Sequence, residues 1–179
     1  MKRILIAIAV IVLLLIAYSY YMGAFKSIEI TEEETGPFKV VFEEHIGDYK
    51  GTGEIMDRLY YSVLDEGIDT TKGFGIYYDD PKIVKKEELK SEAGVILEVK
   101  DYDKVSQLEG KYRIKTLNKK VRITTEFVYK NKASVFFGIM KVYPTIEKYI
   151  EEKGYKKGSV MEIYDIPNNK IIYLAEIKE

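Results

Sequence analysis

Cysteine and tryptophan are absent from this 179-residue chain, and histidine occurs once, as His45. Without cysteine there is no disulfide, thiolate nucleophile, iron–sulfur cluster or cysteine-based zinc site, and a single histidine excludes multi-histidine metal centres and leaves a Ser-His-Asp triad one candidate base. An excess of charge is also missing. Lys+Arg 28 against Asp+Glu 29 leave a net charge of −1, so no general field draws in nucleic acid and none is expected as a partner. Gly47, Gly51 and Gly53 lack the Lys-Ser/Thr ending of a phosphate loop, and no cofactor is expected. What is abundant is tyrosine, 16 residues against 7 phenylalanines. Tyrosine serves as ordinary strand filler and equally suits half-polar surfaces such as ligand pockets and interfaces. Any chemistry must come from carboxylates, tyrosines, lysines and backbone.

After Lys2 and Arg3, the run from Ile4 to Phe25 has Ser19 as its only clearly polar side chain. As a helix it reaches about 33 Å, enough for a hydrocarbon core of ~30 Å, and Tyr18, Tyr20, Tyr21 and Phe25 gather where an aromatic belt would sit. A cleaved signal peptide has a similar plan, with Ala17-Tyr18-Ser19 as its cleavage site. The apolar run continues past that site and a bulky Tyr20 follows it, which favours an uncleaved anchor. Lys2 and Arg3 precede the span while Glu29, Glu32, Glu33 and Glu34 follow it, so the positive-inside rule predicts a single-pass membrane protein with its soluble domain extracytoplasmic. The expected division is an anchor over 1–25, a linker over 26–37 and one domain over 38–179.

Phe38 to Glu44 alternates as a strand does. From Thr52 to Gly67 the residues Ile55, Met56, Leu59, Tyr60, Val63 and Leu64 form one stripe of an amphipathic helix. Gly73 to Tyr78 and Glu92 to Val99 follow as strands. The order β-α-β-β then returns, with a strand over Val121 to Tyr129, a helix over Ser134 to Lys153 closed by Gly154, and strands over Ser159 to Tyr164 and Lys170 to Ile177. Pro144 is expected to kink or split the second helix. Tyr112 to Lys115, in the connector, is a possible extra strand. The predicted fold class is α+β: a duplicated β-α-β-β module in one antiparallel sheet, with two helices on one face and the other face left over.

The runs His45-Ile46-Gly47-Asp48-Tyr49, Gly75-Ile76-Tyr77-Tyr78-Asp79-Asp80-Pro81, Glu92-Ala93-Gly94-Val95 and Met161-Glu162-Ile163-Tyr164, in this order on a duplicated frame, resemble the GyrI-like effector-binding domain family over about residues 38–177. An apolar N-terminal segment leading directly into the domain is similar to the family's membrane-anchored ER-phagy branch. That branch carries a long acidic tail not found before Glu179, and its domain faces the cytosol, so the resemblance extends to the domain and not to the ER-phagy role. The resemblance implies a concave aromatic pocket on the leftover sheet face. Strand parity puts Glu162 and Tyr164 on one face with Ile163 toward the helices, and Gly75 and Tyr77 on the corresponding face with Ile76 behind them. Phe42 and Tyr112 join this set without support from parity.

A carboxylate ringed by phenols suits amphipathic, cationic aromatic molecules, and the expected function is a membrane-anchored small-molecule-binding domain. Two alternatives stand beside it. One is a hydrolase of strained, cyclopropane-type toxins using the pocket Glu and Tyr; no residue pattern marks catalysis independently. The other is a membrane-tethered module for a protein partner, bound through a sheet edge or tyrosine surface. His45 is expected to be structural, and the Lys82 to Glu92 charges a solvated surface.

Overall fold

The computed structural model describes residues 1–178. It opens with helix α1 (Lys2–Tyr21), none of whose residues is buried. Eight strands follow: β1 (Thr31–Thr35), β2 (Phe38–Ile46), β3 (Lys72–Tyr77), β4 (Lys90–Ile96), β5 (Arg113–Leu117), β6 (Lys120–Val128), β7 (Lys156–Asp165) and β8 (Lys170–Lys178). Helices α2 (Thr52–Asp65) and α4 (Lys132–Lys153) supply the helical layer, and α3 (Val105–Leu108) is a single turn. The strands form one sheet in the order β1-β6-β8-β7-β3-β4-β2-β5, every neighbouring pair antiparallel. The two units β2-α2-β3-β4 and β6-α4-β7-β8 meet at the centre, where β3 pairs with β7 and Gly75 lies opposite Glu162.

The expected linker contains β1, which pairs with β6 at the sheet edge. Thr31-Glu32-Glu33-Glu34-Thr35 lacks the apolar alternation that marks a half-buried strand; its charge suits an edge that must not recruit further strands. The helix stops are those the composition predicts. Gly154 closes α4 in the left-handed conformation (φ 70°), and Asn131 opens it with a reciprocal capping box to Ser134. Pro144 does not split α4, which runs unbroken across it. It is exposed, and so is Met140, whose carbonyl loses its helical donor; water can reach that side.

Both long helices lie on one face. Ile55, Leu59 and Val63 of α2 pack on Val41, Ala93 and Val95. Val142, Ile146 and Ile150 of α4 pack on Ile123, Phe127, Ile171 and Tyr173. The other face carries Val40, Phe42, Phe74, Ile76, Met161 and Ile163, all buried. The sheet curls over these side chains, so the helix-free face is a closed apolar core and not the open pocket expected of it.

Candidate functional site

The open space lies on the helix side. A cavity of about 1490 Å³ separates α2 from α4 over the β3–β7 seam. Met56 and Tyr60 of α2 form one wall, and Val135, Ile139 and Tyr143 of α4 the other. Tyr77, Val160, Glu162 and Tyr164 form the floor. Alternation along β7 sends Val160, Glu162 and Tyr164 up between the helices and Met161 and Ile163 down into the closed core. The parity grouping of Glu162, Tyr164, Gly75 and Tyr77 therefore stands, on the opposite face from the one expected.

Glu162 is 2 % exposed. Its Oε1 accepts from the Tyr143 hydroxyl at 2.8 Å and its Oε2 from the Tyr164 hydroxyl at 2.6 Å. Burial raises its pKa above the ordinary 4.5, while the two phenol donors pull it back down. No lysine or arginine contributes to that balance, so an ionised Glu162 is held by neutral donors alone. Burial and the nearby carboxylate push Tyr143 and Tyr164 well above the usual phenol range, which keeps both as neutral donors. The Tyr77 hydroxyl lies 3.2 Å from Thr52 Oγ1, and its ring meets that of Tyr49 edge-on at 4.8 Å. Tyr173, behind Tyr143 at 6.0 Å between ring centres, has a buried hydroxyl without a partner. Its room comes from Gly138 of α4, where a Cβ would stand 2.6 Å from that oxygen.

Gly75 does not line the cavity. It makes space for Tyr77: a Cβ there would come 2.7 Å from the Tyr77 hydroxyl and 3.2 Å from Met56 Cε. Gly75→Ala should tip the Tyr77 ring into the cavity and cost about 1–3 kcal/mol, read as a lower Tm together with loss of the Thr52 contact in a crystal structure. Phe42 is corrected to the closed face, where Lys115 and Arg113 lie over its ring. Tyr112 leaves the set as well, since it packs behind α2 and donates to the Ser62 carbonyl at 3.2 Å. Tyr143, Met56 and Tyr49 were not anticipated. For Tyr143 a signal existed, because it falls one step off the apolar stripe Gly138, Val142, Ile146. His45 pairs with the Asp48 carbonyl at 3.0 Å and fills the space above Gly51, a structural placement.

At the far rim the charges are paired among themselves. Lys157 bridges Asp80 at 2.7 Å and Glu147 at 2.8 Å, and Lys82 joins Glu147 at 3.2 Å. The duplicated β-α-β-β sheet thus carries a tyrosine-lined cavity between its helices. Residues 28–177 match the family model of the GyrI-like small molecule binding domain, and the chain belongs to that family. No curated protein matches it.

Solved structures of similar fold include EcmrR in an EcmrR–DNA complex, with a TM-score of 0.60 at 13% identity over 99% of this chain and 68% of that one. SAV2435 bound to tetraphenylphosphonium is similar with a TM-score of 0.57 at 12% identity, over 84% and 94% of the two chains. A hydrolase from Listeria innocua has a TM-score of 0.50 at 9% identity, over 90% and 98%.

Proposed function

We propose that the chain is a membrane-anchored GyrI-like domain that binds lipophilic aromatic cations between α2 and α4, with Glu162 as their charge partner. The observation carrying this reading is a buried carboxylate, satisfied by two phenols and unopposed by any base, at the floor of an aromatic cavity. A bound cation would complete the site electrostatically, and the rings of Tyr77 and Tyr164 offer it faces. Tetraphenylphosphonium, to which SAV2435 is bound in its structure, is a molecule of this class. Helix α1, with a mean hydropathy of 2.6 over 18 residues, is long and apolar enough to cross a membrane; as an uncleaved anchor it would leave the domain outside the cytoplasm.

The test is calorimetric titration with tetraphenylphosphonium across pH. The cation needs Glu162 ionised, and burial has raised the pKa of that group. Affinity should therefore be full above the raised pKa and fall as pH drops through it, with protons released on binding near it. A pH-independent affinity would remove Glu162 from the site. The same raised acid, beside the Tyr164 donor, is what a hydrolytic general acid–base would need. Mass spectrometry of the recovered ligand distinguishes turnover from binding.

A further inference from the structure

The end of α1 is fastened to the domain rather than joined by a free tether. Met22 is buried, and Gly23 (φ +86°) lies so close to Phe127 and Val128 that a Cβ would stand 2.9 and 2.7 Å from their side chains. Lys130 Nζ sits 3.3 Å from the Tyr21 ring centre. From α4, Lys141 Nζ donates to the Ala24 carbonyl at 2.8 Å and also to that of Lys26. These contacts fix the C-terminal end of β6 and the N-terminal half of α4 beside the point where α1 ends.

Four exposed apolar side chains of the cavity lining cluster at this same end. Phe136, Ile139 and Met140 of α4 are 58%, 45% and 61% exposed, and all three line the mouth. Ile166, in the turn that bonds back to Tyr129 through Asn169, lines it too and is half exposed. The Lys157–Asp80–Glu147 bridges lie at the other end of the cavity; at the Ile166 end the α4 side is apolar, while Asp69, Thr71 and Lys72 line the β3 side. Water gives no reason to leave four large apolar groups bare around one opening.

Resting on the reading of α1 as an anchor, we propose that this mouth is seated in the headgroup–acyl boundary of the bilayer that α1 enters, and that lipophilic cations reach Glu162 from the lipid. Cations of this kind concentrate at that boundary, and Lys130 and Lys132 beside the mouth suit its phosphate level.

The chain has no tryptophan, so a single introduced one reports alone. The full chain is reconstituted in vesicles of phosphatidylcholine brominated on the acyl chains, as Val10→Trp within α1, Phe136→Trp at the mouth, or Ile83→Trp, which is 82% exposed away from α1. Emission from Val10→Trp and Phe136→Trp should fall about twofold or more, as for side chains roughly 5–10 Å or deeper into the boundary. Ile83→Trp should keep its intensity. Quenching of Val10→Trp without quenching of Phe136→Trp would overturn the seated mouth and leave the anchor intact. Quenching of neither would overturn the anchor, and the mouth with it.

Discussion

Glu162→Gln should weaken tetraphenylphosphonium binding by roughly one order of magnitude or more while raising the thermal stability of the unliganded domain. The first effect follows from removing a charge from a site where the local dielectric is low. Charge-assisted contacts are typically worth about 1.5–3 kcal/mol, at ~1.4 kcal/mol per decade of affinity. The second follows from linkage. A buried acid whose folded pKa is raised contributes stability below its unfolded pKa and loses it as pH rises through the folded value. Above the folded pKa the ionised carboxylate is therefore a cost of folding that the amide does not carry. Glutamine can accept one phenol hydrogen bond through its oxygen and donate to the other hydroxyl through its nitrogen, so Tyr143 and Tyr164 remain partnered. Neutral aromatic ligands should lose much less, because they draw on the rings, whereas Tyr164→Ala should weaken both classes. Calorimetry with a cationic and a neutral ligand, beside thermal melts of the apo protein, separates these outcomes. Equal losses for the two ligands, or a lower apo Tm, would make Glu162 a structural hydrogen-bonding residue.

Much of this fold is legible from periodicity. The stripe Ile55, Leu59, Val63 and the strand from Val121 are set by apolar spacing that tertiary contacts reinforce, and Gly154 ends α4 where a left-handed residue is required. Strand parity likewise groups Glu162, Tyr164, Gly75 and Tyr77. Parity cannot say which side of the sheet a group takes. In β7 both sets are bulky, and a Glu in the alternation looks like a solvent-facing residue until two phenols supply the hydrogen bonds that water would have made. Those phenols come from different elements, and Tyr143, nineteen residues upstream on a helix, has no local signal tying it to Glu162. Phe42 failed for a related reason. Val40-Val41-Phe42 is continuously apolar because β2 is buried on both faces, so nothing in it distinguishes the helix side from the closed core. The strand β1 escaped because an edge strand of glutamates is stabilised by its pairing with β6 and not by burial.

The largest effect on stability is expected from a single methyl group at Gly94. This residue pairs with Phe42 of β2 on one side and Phe74 of β3 on the other. A Cβ built there would fall 2.0 Å from the Val41 carbonyl oxygen and 2.9 Å from Phe42 Cα. Both are backbone atoms in mid-strand, so no rotamer change relieves the clash, and β2 must move away from β4. At Gly73 a Cβ would meet Met56 Sδ at 3.4 Å, the far end of a flexible side chain, and Gly73→Ala should be close to neutral. Overpacking of a core costs about 1–3 kcal/mol where side chains can adjust. With backbone as the obstacle, Gly94→Ala should reach about 3 kcal/mol or more, a fall in Tm of roughly 6–12 °C for a domain of this size. Ligand binding should fall with it, because β4 is the support on which α2, one wall of the cavity, packs through Ala93 and Val95. A Gly94→Ala domain that melted within a degree or two of the parent, and bound tetraphenylphosphonium as well, would show that β2 and β4 separate freely and that their close approach does not hold the α2 wall in place.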